Sequence, residues 1–270
     1  VDPAQVKAGD RVLVDGLQVG PRSGGRYQSQ GGFASYAVVP DTAALRLPDK
    51  LSFDEACCLL GNYETAYHCL VVRGRLKAGE TVLILGATGS TGLAAVHIAK
   101  LMGATVIAAG RSDAKLAFVQ AQGADHVVNI THPDCSPGVR PFRADVKALT
   151  GGRGVDVVYD AVGGPYAELA MRSLGWRGRY LVVGFAAGDI PKIPLNLALL
   201  KERQILGVYW GDSVAANPKA HLANMRELAD WFASGKIAPS ITESVELDGA
   251  KDALTRMASR RAMGKIVVKP

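Results

Sequence analysis

The residues best suited to chemistry lie in one run. It reads Thr81-Val82-Leu83-Ile84-Leu85, then Gly86-Ala87-Thr88-Gly89-Ser90-Thr91-Gly92, then Leu93-Ala94-Ala95-Val96-His97-Ile98-Ala99-Lys100. A buried strand, a glycine-rich turn and a helix start, in that order, make a phosphate cradle. Glycines let the backbone turn sharply and approach an anion closely, while the N–H groups of a helix's first turn point at it. Glycine spacing alone is a weak signal, but the strand before it and the helix after it are the context a dinucleotide fingerprint requires. One position departs from the usual pattern: Ala87 stands in place of the first glycine, and Gly86 lies one residue earlier. An ordinary strand-to-helix turn of an α/β protein is the competing reading.

A second group of residues bears on which anion is held. The apolar run Thr105-Val106-Ile107-Ala108-Ala109 ends in Gly110-Arg111-Ser112, with Lys115 one turn later. NAD-selective sites of this kind place an acidic residue there to bind both ribose hydroxyls. None ends this strand. Arg111, Ser112 and Lys115 offer a forked donor, a hydroxyl and a point charge, a set that fits a ribose 2′-phosphate and hence NADPH. The plainer reading leaves Arg111 and Lys115 on a solvated helix start with Asp113 as their local partner.

These motifs need elements to hold them. Candidate strands at Thr81–Leu85, Thr105–Ala109, 126–129, Val155–Ala161, 179–183 and 204–209 are mostly continuous valine- and isoleucine-rich runs, as in parallel strands covered on both faces. Helical stretches fall between them near 91–102, 113–122, 144–150, 166–174 and 195–200. Six strands with intervening helices predict an α/β, doubly wound parallel sheet. The segment 131–143, rich in proline and glycine, reads as a surface insertion. The flanks differ: residues 1–50 carry short strand patterns at 11–15 and 33–39 and an exposed loop over 20–26. After Pro218 come a long amphipathic helix to Ser234, a strand, a short helix and a closing strand at 265–268. A second, β-rich domain built from both ends of the chain is the economical arrangement.

Composition narrows the class. The 270 residues are 48% hydrophobic and 21% charged, with 31 glycines, which suits an enzyme with a large core rather than a disordered or fibrous chain. No apolar run reaches the roughly 18 residues needed to cross a bilayer, and no basic-then-apolar leader opens the chain. Cys57, Cys58, Cys69 and Cys135 show no paired spacing and read as small apolar fillers in a reducing compartment, so the expected location is cytoplasmic. The net charge of +6 is scattered, densest at Arg256, Arg260, Arg261 and Lys265. It comes without aromatic interleaving or a recognition-helix pattern, so no nucleic-acid partner is expected.

The order of motifs along nearly the whole chain resembles the medium-chain dehydrogenase/reductase superfamily, specifically its zinc-free NADPH:quinone oxidoreductase branch. The residues that carry the resemblance begin with Gly9-Asp10-Arg11-Val12, Gly31-Gly32-Phe33-Ala34-Ser35-Tyr36, Leu47-Pro48, Asn62-Tyr63-Glu64-Thr65-Ala66-Tyr67 and Lys77-Ala78-Gly79-Glu80-Thr81-Val82. They continue through the glycine turn, Val157-Val158-Tyr159-Asp160-Ala161-Val162-Gly163-Gly164, Gly178 to Phe185 and Gly264-Lys265-Ile266-Val267-Val268. The resemblance implies a Rossmann NADPH-binding domain over 62–212. It also implies a discontinuous GroES-like substrate domain over 1–61 and 213–270 that lacks its N-terminal part. A homodimer joined through the strand near Gln204–Tyr209 is the further expectation, since an apolar edge needs cover. Ile130 follows Asn129 where many relatives carry a tyrosine against the cofactor.

Metal is not expected. Residues 15–30 hold no cysteine where zinc-dependent relatives carry a four-cysteine lobe. Gly61 falls where they carry a ligand to the catalytic zinc, and His68 reads as a core or interface histidine. Without a Lewis acid to make an alkoxide, reduction of an activated acceptor is favoured over alcohol oxidation. The implied reaction passes hydride from NADPH to a quinone or an α,β-unsaturated carbonyl. An enoyl-thioester reductase and a non-catalytic NADPH-binding redox sensor are the alternatives.

Residue by residue, the resemblance makes Thr65 a nicotinamide-side contact and has Gly89, Ser90, Thr91 and Gly92 hold the diphosphate. Gly110, Arg111, Ser112 and Lys115 surround the 2′-phosphate, while Val162, Gly163, Gly184, Phe185 and Ala186 line the nicotinamide-ribose channel. Lys265 would reach the nicotinamide half from the closing strand. Tyr63, beside Thr65, is the one candidate catalytic proton donor, with an aromatic wall as its alternative role. Glu64 reads as a helix-start carboxylate favoured by the dipole.

Overall fold

Short apolar triplets set among turn residues yield only short strands, and the first part of the chain is built that way. The computed structural model describes residues 6–20, 27, 32–132 and 138–270. Two compact units emerge: Val1–Glu64 with Trp210–Pro270, and Thr65–Tyr209. In the first, β1 (Val12–Val14) pairs antiparallel with β2 (Ala44–Arg46), Val12 opposite Arg46. Helix α1 (Phe53–Cys58) opens with a capping box: Ser52 accepts from the Glu55 amide while the Glu55 carboxylate accepts from Ser52. Past α1 the backbone leaves helical geometry at Leu60 and at Gly61, whose φ is +67°, before the single turn α2 (Glu64–Tyr67).

The second unit alternates strand and helix: β3 (Thr81–Leu85), α3 (Ser90–Leu101), β4 (Thr105–Gly110), α4 (Asp113–Ala121), β5 (His126–Asn129), α5 (Arg143–Leu149), β6 (Val155–Asp160), α6 (Ala167–Ser173), β7 (Leu174–Val182), α7 (Asn196–Leu199) and β8 (Gln204–Gly207). Spatial order is β5-β4-β3-β6-β7-β8, and every pairing is parallel. Crossing from β3 to β6 reverses the direction of winding, so the carboxyl ends of those strands open a crevice. Alternate residues serve the two faces. Leu83, Leu85, Ile107, Ala109, Val158 and Tyr180 pack with Phe142, Val146, Ala167, Ala170 and Met171 in one core cluster. Their neighbours Val82, Ile84, Val106, Ala108, Val157 and Tyr159 are equally buried. Burial of each such side chain is worth about 1.5–3 kcal/mol, so two-faced burial makes the central strands the anchor of the unit.

The chain then returns to the first unit with α8 (Trp210–Ala216), α9 (Pro218–Ala233), β9 (Ile241–Glu246), α10 (Ala250–Ala258) and β10 (Lys265–Lys269). Asn217 caps α9 by accepting from the Ala220 amide, and Pro218 sits at the tolerant first turn. The buried stripe of α9 is His221, Met225, Leu228, Ala229 and Phe232. β9 and β10 pair in parallel.

The structure adds β2, α1, α2 and α8, which the sequence reading did not call, and three of the predicted elements differ. Residues 33–39 form no strand, because no described strand pairs with them and Phe33, Tyr36 and Val38 are exposed. The expected helix over 166–174 ends at Ser173, because Leu174 pairs with Val155; β7 thus starts five residues early, with a register shift opposite Val155–Val157. β8 stops at Gly207, short of Tyr209. The loop over 20–26 beyond Gly20, Gly31 and Cys135 lie outside the described residues. No described helix is long and apolar enough to cross a membrane.

Candidate functional site

The glycine turn and the three strand ends around it meet along one edge of the sheet. A Cβ on Gly110, at the end of β4, would stand 3.3 Å from Thr88 Cγ2; one on Gly86 would stand 2.9 Å from Val162 Cγ2. Farther along, the ring of Phe185 lies 2.8 Å from where Gly163 would carry a Cβ. Residues 110–112, 86–92, 162–163 and 184–186 thus form a continuous row across β4, β3, β6 and β7, the place where open α/β sheets take ligands.

At the middle of that row Gly89 is the N-cap of α3, and no side chain caps the helix. The first bond of the helix runs from Leu93 N to Gly89 O, so the amides of Thr91 and Gly92 precede the ladder. Uncapped amides at the positive end of a helix dipole suit an anion. Gly92 is packed so closely that a Cβ there would fall 2.2 Å from Gly86 O, a contact no side chain survives without moving the turn. The cradle therefore fits a diphosphate by backbone shape, not only by sequence pattern.

Beside it lies a pocket of about 800 Å³ lined by Arg111, Ser112 and Asp113 on one wall and by Asn129, Thr131, His132 and Arg140 on another. Ser112 caps α4, accepting from Lys115 N at 3.5 Å. Lys115 is partly buried; desolvation, then the charge of Arg111, lowers its pKa. Cations near a helix N-terminus favour a bound anion. Asp113, a carboxylate of the same wall, accepts from Asn129 Nδ2 at 2.6 Å. Arg140 is held by Asn129 O at 3.0 Å and by Asp145 at 2.6 Å. Ile130 is buried in the core cluster and does not line the pocket.

The far end of the row hangs on Asp160, which the sequence reading passed over. This side chain is 2% exposed; its Oδ1 accepts from Val162 N and Gly163 N, both at 2.8 Å, and its Oδ2 accepts from the Tyr180 hydroxyl. Burial pushes the carboxyl pKa up, opposed by Tyr180 and by the two amides. Ala186 N and Ala187 N donate to Ala161 O and Val162 O, knitting the β6 and β7 ends together. A single carboxylate thereby sets the backbone of Val162 and Gly163. An acid closing the apolar run of β6 was the signal that could have found it.

The other predicted residues divide between the units. Thr65, partly buried, opens the second. Tyr63 and Lys265 belong to the first, where Lys265 Nζ donates to Asn62 Oδ1 at 3.3 Å. Tyr63 is 3% exposed and meets the Phe232 ring edge-on at 4.8 Å. Burial, then Cys58, raises its phenol pKa, making it a weaker acid than an ordinary tyrosine. This environment suits an aromatic wall. His68 is buried, and desolvation followed by Arg73 lowers its pKa.

Comparison with known proteins bears on the family. A family model described as zinc-binding dehydrogenase matches residues 90–233. A quinone oxidoreductase-like protein 2 homolog of Nematostella vectensis is 35% identical over 265 residues, 97% of this chain and 70% of that one. The chain belongs to the medium-chain dehydrogenase/reductase superfamily. Among solved members, a probable oxidoreductase from Mycobacterium abscessus matches with a TM-score of 0.74 at 34% identity, covering 87% of this chain and 68% of that one. The CurK enoyl reductase matches with a TM-score of 0.71 at 26% identity, covering 84% and 65%. Membership makes the protein an oxidoreductase, and the row of strand ends is where the superfamily's sheet would act.

Gly92→Ala tests the cradle. Because the added methyl must displace the turn, affinity for a nicotinamide cofactor measured by calorimetry should fall by roughly tenfold or more, about 1.4 kcal/mol. Unchanged affinity would contradict close backbone approach at this position.

Proposed function

We propose that this chain is a zinc-independent oxidoreductase that reduces a quinone or an α,β-unsaturated carbonyl with NADPH. The observation that carries the reading is the 2′-phosphate set: β4 ends without an acid, and Arg111 and Ser112 face the pocket with Lys115 one turn on. Similarity to a quinone oxidoreductase-like relative supports the acceptor class. Enoyl-thioester reduction is the second reading, supported by the likeness to CurK enoyl reductase.

When bound, the nicotinamide supplies the hydride. The residues of this chain do the rest: the amides at the start of α3 hold the diphosphate, Arg111, Ser112 and Lys115 fix the adenosine end, and Asp160 holds the Val162–Gly163 backbone for the nicotinamide ribose. In such acceptors the carbonyl absorbs the developing negative charge, so alignment can supply much of the catalysis, on the order of several kcal/mol. Gly61 supports zinc independence, since it lacks a donor and its φ of +67° is strained for residues that have one. Among the described residues no group of three or more His, Cys, Asp or Glu is placed to hold a metal.

Edge strand β8 and the exposed Leu199, Leu200 and Ile205 near it support a homodimer joined at that edge. The unpaired Cys57, Cys58 and Cys69 fit a reducing cytoplasm.

Arg111→Asp should weaken NADPH by about 2 kcal/mol, roughly 30-fold, while NADH changes far less. Equal losses for both would remove Arg111 from the phosphate site. NADPH consumption with 1,4-benzoquinone, phenanthrenequinone, crotonyl-CoA and a 2-haloacrylate separates the acceptor classes; turnover on crotonyl-CoA alone would favour the second reading, and tight binding without turnover a sensor. Metal analysis of the purified protein should find well under one zinc per chain, and one per chain would overturn the zinc-free assignment.

A further inference from the structure

In the first unit a cluster of three titratable side chains, away from the glycine turn, is sealed from solvent. His221, on the buried stripe of α9 and 4% exposed, has Nδ1 2.6 Å from Glu64 Oε1 and Nε2 3.1 Å from Asp15 Oδ2. Both carboxylates are at most 1% exposed. Asp15 is itself fixed just beyond β1, its Oδ1 accepting from Leu17 N at 2.9 Å. Glu64 Oε2, buried, finds no partner among the described residues, so the bond to His221 is what holds this side chain.

The cluster sits at an informative place in the chain. Three successive residues after the Gly61 kink are each gripped by a C-terminal element: Asn62 by Lys265, Tyr63 by the Phe232 ring, and Glu64 by His221. The next residue is Thr65.

We propose that His221 is a positioning residue: as an imidazolium donating from both ring nitrogens to Asp15 and Glu64, it locks the Asn62–Glu64 segment and so sets Thr65 for its contact with the nicotinamide. The proposal rests on the reading of Thr65 given above. Only the doubly protonated ring can donate to two carboxylates at once. An imidazole buried alone would stay neutral; here desolvation is outweighed by the hydrogen bonds and charges of Asp15 and Glu64, and the pKa rises to about 9. Other titratable groups on elements packed against α9 are Tyr63, whose phenol stays un-ionised, and the exposed Asp212 of α8. Since the folded pKa lies above the ordinary 6.5, the lock is complete below that value and is lost as pH rises through about 9.

The test uses the full chain and three readouts. The ring resonances of His221, followed by NMR without cofactor, should show both nitrogens protonated at pH 7.5 and titration near 9. In His221→Gln, amide exchange at Glu64, Thr65 and Ala66 should speed at least roughly tenfold while β3 and β4 exchange as before. Wild-type kcat with the best acceptor should fall as pH passes about 9, and in His221→Gln it should be lower and flat there. Asp15→Asn, which keeps the ring and Glu64, should shift both the titration and the fall in kcat to lower pH, and it serves if His221→Gln fails to fold. A ring titrating near its ordinary value, or a variant with unchanged exchange and pH profile, overturns the proposal. If wild-type protein turns over no acceptor, the function reading fails; the lock still stands or falls on the ring titration and the exchange.

Discussion

The structure depends on one constraint: a doubly charged diphosphate can be held by backbone alone only where chain and anion come very close. Side chains capping α3 would consume the amides that the anion needs, and a Cβ at Gly92 would strike Gly86 O. The cradle therefore requires an uncapped helix start, a turn without bulk, and a rigid strand behind it. β3 meets the last demand as the inner strand of a wholly parallel sheet, paired on both sides and buried on both faces. The neighbouring strand ends follow from the same topology, since β4 and β6 flank β3 and bring Arg111 and Val162 to either side of the turn.

Charge is handled differently in the two units. In the second, Arg111 and Lys115 stand with the positive end of α4, where burial, then the charge of Arg111, lowers the Lys115 pKa. In the first, a histidine and two acidic side chains are closed inside the protein, where charge is costly to desolvate and mutual hydrogen bonding supports them. The open arrangement is suited to binding. The closed one is suited to holding backbone in place.

The central sheet was legible in the sequence because its strands are buried on both faces and so read as unbroken apolar runs; all six appeared in order. The glycine turn and the Gly110-Arg111-Ser112 end of β4 were legible for the same reason, each following directly on such a run. What escaped depended on partners distant in sequence. Residues 33–39 have strand-like alternation but no described strand to pair with, whereas Leu174 to Gly178, with two glycines and an arginine among its five residues, is drawn into β7 by Val155. Glu64 looked like a helix-start carboxylate because its true partner lies 157 residues away on α9, and Asp15 lies farther still, 206 residues from His221. A histidine on the apolar stripe with Met225, Leu228 and Phe232 was the one local hint.

The central claim is that a nucleotide diphosphate rests on the amides that open α3. Backbone amide NMR of the isotopically labelled chain, titrated with NADPH, tests it most directly. The account predicts the largest shifts at Gly89 to Gly92, with a second group at Gly110 to Lys115. Saturating NADPH that leaves those amides unmoved, or moves others instead, would contradict it.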